Sequence, residues 1–217
     1  MIVVNKKANF WIRFLATFVD LGIFLLIMLA SSFLVFNYSK GTFYSIYSYY
    51  PWLLFLIFVL IFLYFVIPSI WDGKTLAMAM CRIKIINKDE NKKLWKGVFD
   101  RQRLFALVWI IIFFLFIIFI SPQTFADAAL SVSRQGKTLD KIQRAFLAIP
   151  STFATLGSML QLFIIISNIK SSRIGLNDKF SSTFTVWINK FEEIEPEENI
   201  FYIRPRKRVL PKIYFEN

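Results

Sequence analysis

Within the first long apolar run, Phe14 to Phe36, stands a single ionisable residue, Asp20, and Arg13 precedes it by seven positions. An ionised carboxylate at the centre of a bilayer costs roughly 2.5–3.5 kcal/mol on insertion scales, so a residue of this type there marks a candidate site. Its chemistry is limited and specific: a carboxylate in a poorly hydrated place takes up a proton or holds a cation such as Na⁺. Seven residues make nearly two helical turns, which places Arg13 and Asp20 on one face about 10 Å apart along the axis. The two are too far apart to pair within the helix. The face carrying Arg13, Ala16, Thr17 and Asp20 is therefore expected to turn toward other helices or a wet cavity. Asp20, Arg13 and Thr17 form the candidate ion or proton site.

The chemistry that is excluded is equally informative. The chain has no histidine, and only one aspartate lies in its apolar stretches. A His-based triad, a His-bound metal centre and an aspartyl dyad cannot be assembled from these residues. No enzyme activity, metal or cofactor is expected. The one cysteine, Cys81, can form no disulfide within the chain and reads as a packed thiol.

The elements that would position Asp20 are membrane helices. Of the 217 residues 57% are hydrophobic, grouped in long blocks, the composition of a membrane protein. Four stretches approach the roughly 20 residues a helix needs to cross the hydrocarbon, with spans at about 14–36, 52–70, 104–120 and 149–169. A cleaved signal peptide competes for the first, but the run is long for one and contains Asp20.

Lysine and arginine number 26. Twenty-one of them fall before or within the start of the first span, in the 70–103 loop and after Ile169; five fall in the other two loops. By the positive-inside rule both termini and the middle loop are cytoplasmic, in an integral cell-membrane protein. The net charge of +12 then acts on anionic lipid headgroups, and no nucleic-acid partner is expected.

Past Trp71, Thr75 to Cys81 suits a short helix, and Ile83, Ile85 and Ile86 suit a strand, with the polar run 87–93 as its turn. Ser181 to Asn189 is rich in Thr, Val and aromatics and could pair with that strand. The expected fold is an all-α bundle of four transmembrane helices with a small cytoplasmic β element. Residues 1–188 would form the membrane domain and 189–217 a charged tail that opens acidic and ends basic. In the fourth span Ala154, Gly157, Ser158 and Gln161 share one side, with Thr155 close by. Small and hydroxylated residues let membrane helices approach and bond. A polar seam of Thr155, Ser158 and Gln161 facing Asp20 is expected. Gly73 would let the chain turn sharply after the second span, and Thr75 would cap the helix that follows.

Three patches together resemble the RDD family, integral membrane proteins named for one arginine and two aspartates. ANFWIRFLATFVD matches its first pattern, with the arginine and first aspartate on Arg13 and Asp20. GKTLAMAMCRIKII is similar to its Gly-x-Thr-Leu-Gly pattern through Gly73, Thr75 and Leu76. RIGLNDKFSSTFTV resembles its Arg-x-x-Leu-His-Asp pattern through Arg173, Leu176 and Asp178. Asp178 is taken as the third name-giving residue, with Asp72 the alternative. Ala77 stands where a glycine is usual, Arg82 at another small position, and Asn177 in place of the histidine.

The resemblance implies transport of an ion or small solute, sodium and proton exchange included. Four spans without an inverted repeat are few for a single-chain carrier, so a homo-oligomer or larger membrane complex would be needed to enclose a path. The alternative is a non-catalytic accessory or scaffold subunit.

Overall fold

The computed structural model describes residues 2–88, 92–132, 139–169 and 174–194. Strand β1 (Ile2–Lys7) leads into the long helix α1 (Phe10–Val35). A two-strand hairpin, β2 (Phe36–Asn37) and β3 (Thr42–Phe43), turns the chain into α2 (Tyr49–Ile61). A π-helical turn, Phe62–Val66, and α3 (Ile67–Ile70) complete that second long helix. Next come α4 (Leu76–Met80), β4 (Ile83–Asn87), α5 (Leu94–Gln102), α6 (Ala106–Phe119) and α7 (Pro122–Val132). The last helices are α8 (Lys141–Ile166) and α9 (Leu176–Ser181), followed by β5 (Thr183–Ile194).

Three helices are long and apolar enough to cross a membrane, Phe10–Val35, Ile46–Ile70 and Lys141–Ile169. The pair α5 and α6, bent by 54° at its break, counts as a fourth if the two are one span. Three to four spans thus stand where four were expected, and their bounds shift. The first begins at Phe10, four residues earlier, which brings Arg13 inside the helix. The last begins at Lys141, where Asp140 and Gln143 form a capping box, eight residues before the expected start at 149. Taken alone, α6 has 14 residues and reaches only about 21 Å.

The π-helical turn has a sequence cause. Pro68 lacks an N–H, and its ring would clash with the carbonyl four residues back, at Tyr64. The helix widens just before it, the Ile67 N–H reaching the carbonyl of Phe62 five residues away. Tyr64, in the widened turn, is buried.

At one end of the helices lies an antiparallel sheet in the order β1-β5-β4. β4 pairs with β5 from Ile83 opposite Trp187 to Asn87 opposite Thr183, and β1 covers the rest of β5 with Ile2 opposite Ile194. The stretch Ile2–Lys7, for which the sequence suggests no element, is thus a strand. β5 also continues beyond Ile188 through residues expected in the charged tail, and Glu192 pairs with Lys6 at 2.7 Å. Residues 195–217 lie outside the described residues.

Helix α4 docks on α1 through small residues. Ala8, Ala16, Ala77 and Ile83 are fully buried in one cluster, and the small alanine side chains on α1 and α4, Ala16 and Ala77, let the two backbones come close. Gly73 turns the chain toward α4 with φ +77°, and a Cβ there would meet the carbonyl oxygen of Ile85 at 2.3 Å. Arg82, at the position where the RDD pattern has a small residue, takes φ +54°. At the other end of the helices Phe36, Phe43, Tyr49 and Phe125 form an aromatic cluster.

Candidate functional site

Asp20 lies about 15 Å along α1 from its first residue, and its carboxylate faces α4. The Thr75 hydroxyl donates to Asp20 Oδ2 at 2.5 Å, and the Ala77 N–H donates to Oδ1 at 3.0 Å. Thr75 also accepts from the Met78 N–H at 3.2 Å, so it caps α4 while bonding Asp20. The orphan N–H groups at the start of a helix are natural partners for a carboxylate. No arginine or lysine pairs with Asp20 among the described residues. The cost of burying it is offset by hydrogen bonds from α4, not by Arg13.

Arg13 bonds elsewhere. Its Nη2 donates to Asp178 Oδ2 at 2.7 Å and its Nη1 to Asn168 Oδ1 at 3.2 Å. The other oxygen of Asp178 accepts from Arg101 Nη1 at 2.5 Å. Arg101 is held in turn by Thr183 at 3.1 Å and Thr185 at 2.8 Å on β5. The Gly175 N–H adds a bond to Asp178 at 3.0 Å. Asp178 is 2% exposed, Arg13 6% and Arg101 8%. One buried carboxylate therefore holds together α1, α5 and the α9–β5 segment. Burial alone would push the Asp178 carboxyl up, but the guanidiniums of Arg101 and Arg13 and the Gly175 N–H outweigh it and hold the group below the ordinary carboxylate range.

Between the two centres is a polar cavity of about 60 Å³, room for a few waters or a small ion. Arg13, Thr17, Asp20, Tyr64, Thr75 and Arg101 line it, with Gln102, Asn168, Asn177 and Thr185. Tyr64 and Phe105 separate it from a second cavity of about 190 Å³ whose walls are apolar, among them Phe24, Met28, Leu60 and Phe113.

The sequence picks out Arg13, Thr17, Asp20, Thr75 and Asp178, and the fold brings all five to this region. Gly73 serves from a distance by turning the chain into α4. Arg173 lies outside the described residues. The polar seam is a correction. Helix α8 packs against α6, with Gly157 facing Ile112 and Val108. Thr155 is exposed and bonds the carbonyl of Ser151, while Ser158 bonds that of Ala154. These hydroxyls are satisfied one turn back on their own helix, so they need no partner across a seam. Gln161 is buried, with its Nε2 unbonded among the described residues.

Arg101, Gln102 and Asn168 are missed. Arg101 reads as one more charge of a basic loop. Its signal was present in α5, where Gly97, Val98, Arg101 and Gln102 form the buried face, a helical stripe in a segment otherwise rich in charge.

No curated protein and no solved structure matches the chain. A family model does, over residues 7–182, and its description is the RDD family. That segment contains Arg13, Asp20 and Asp178 and all the described α-helices, and on it this multi-pass membrane protein belongs to the RDD family.

Proposed function

We propose that the chain is a small ion or solute translocator, or a subunit of one, in which Asp20 takes a proton or a monovalent cation from the sheet-side cavity. One observation carries the reading: Asp20 faces a polar cavity, and among the described residues its oxygens are held by a hydroxyl and an amide, not by direct contact with a cation. A carboxylate so placed exchanges protons or cations, whereas one clamped by arginine, as Asp178 is, does not. In this reading the protein works by binding and passage, not by catalysis. The apolar cavity beyond Tyr64 is why more than one chain, or a further partner, completes the path. Were Asp20 only a cap for α4, the chain would be an accessory subunit.

The same reading sets the sheet, the cavity and both termini on the cytoplasmic side of the cell membrane, where basic side chains meet anionic headgroups. In a Cys81→Ser background, a cysteine at exposed Ser45 is expected to react with an impermeant thiol reagent in intact cells. A cysteine at Lys179 is expected to react only after permeabilisation. Labelling of Lys179→Cys in intact cells reverses the topology.

The function is tested by Na⁺ and H⁺ flux in proteoliposomes. Wild type is expected to carry flux that Asp20→Asn loses, because the amide keeps the shape and most hydrogen bonds but neither the charge nor the exchangeable proton. Equal flux from the variant, or none from well-folded wild type, moves the assignment to the accessory role.

A further inference from the structure

We infer that the arginine side of the cavity is a binding site for a small monovalent anion of about chloride size, filled when Asp20 loses its charge. The inference rests on the reading of Asp20 as a proton or cation site and adds a second ion to it.

The buried charges require a counter-ion. Arg13 and Arg101 share one carboxylate, Asp178, at 2.7 and 2.5 Å, which leaves a buried positive charge in excess. The groups around Asp20 are Arg13 on its own helix, Tyr64 on the second span, Cys81 after α4, Arg101 on α5, and Asp178 behind the arginines. Burial and the nearby Asp20 push the Cys81 thiol up and keep it neutral. Asp20 is therefore the group that balances the extra arginine, across the cavity and without touching it. Once Asp20 is protonated or holds a cation, that balance is gone. An uncompensated buried cation is costly, and an anion from water restores neutrality.

Two residues of the cavity wall have unspent hydrogen-bonding groups. Arg13 spends one bond from each terminal nitrogen on Asn168 and Asp178. Its Nε–H, shut off from solvent, has no acceptor among the described residues, although the side chain lines the cavity. Asn177 lines it too, and its Oδ1 lacks a donor; turned over, the amide would offer its NH₂ instead. A volume of about 60 Å³ walled partly by Phe105, Ile164 and Ile165 suits a compact, singly charged ion. By reciprocity, anion binding raises the affinity of Asp20 for its proton by the factor that the proton raises anion affinity.

The test is equilibrium binding of radioactive chloride to the full chain in nanodiscs of uncharged lipid, at mildly acid and mildly alkaline pH. Wild type is expected to bind at least about 5-fold more tightly in acid, within the usual range of such couplings. Asp20→Asn is expected to bind equally well at both pH values, at the tight limit, and Arg13→Gln to lose binding. If Arg13→Gln fails to fold, the wild-type pH dependence and its loss in Asp20→Asn still decide. No chloride binding at either pH overturns the inference, as does affinity that is unchanged or weaker in acid. Binding in nanodiscs needs no path across the bilayer, so a failure of Na⁺ or H⁺ flux is read separately from a failure here.

Discussion

Asp178→Asn is expected to destabilise the protein by about 3–5 kcal/mol, the usual cost of removing one partner from a buried ion pair. The asparagine fits the space, but it leaves Arg13 and Arg101 facing each other with no negative charge between them. It also has one acceptor oxygen where Asp178 uses two, so it cannot accept from Arg101 and from the Arg13 and Gly175 donors together. The effect should appear as a large fall in the unfolding midpoint of detergent-purified protein and a loss of monodisperse material. An unchanged midpoint would show that this carboxylate does not hold the sheet-side elements together. The pH dependence has a definite sign. Because the folded protein holds the Asp178 carboxyl below the ordinary carboxylate range, its contribution is fully present above that range and lost as pH falls through the lower folded value. The stability gap between wild type and Asp178→Asn should be constant near neutrality and close only in strong acid.

How far this site was legible can be judged residue by residue. Asp20 and Arg13 stand out because a charge in an apolar run is an anomaly that one sequence displays unaided. Asp178 does not stand out; it sits in a polar segment, and only the family pattern singles it out. The partners were the harder part. Helical spacing puts Arg13 and Asp20 on one face, but same-face residues seven apart cannot reach each other, and what faces them comes from elsewhere in the chain. Arg13 meets Asp178, 165 positions away, and Asp20 meets Thr75, 55 positions away. Periodicity says which face is turned inward and is silent on what it meets. Thr75 was legible as a cap because capping is local, while its second bond, to Asp20, depends on α4 docking through Ala16 and Ala77. The hydroxyls of α8 misled for a related reason. Ser and Thr in a membrane helix can satisfy themselves on their own backbone, so their presence on one side does not require a neighbour. β1 was hidden because Lys6 and Lys7 read as an orientation signal and obscure the short strand.

Arg101, one of the residues not legible in the sequence, carries the second large effect. Arg101→Met removes its bonds to Asp178, Thr183 and Thr185 while keeping length and apolar contact. Hydrogen bonds to charged groups contribute about 1.5–3 kcal/mol each, but the substitution also removes the excess buried cation and leaves Arg13 and Asp178 as a neutral pair. The net loss is expected to be about 2–3 kcal/mol, smaller than for Asp178→Asn although three bonds are broken. The two substitutions together should cost at least about 1 kcal/mol less than their sum, because once Arg101 is gone the loss of Asp178 strands one arginine and not two. A double-mutant cycle on unfolding free energy measures this directly. Additivity within about 0.5 kcal/mol would mean that the two side chains are energetically independent despite their contact, and that the excess charge proposed to draw an anion into the cavity is already dissipated by solvent.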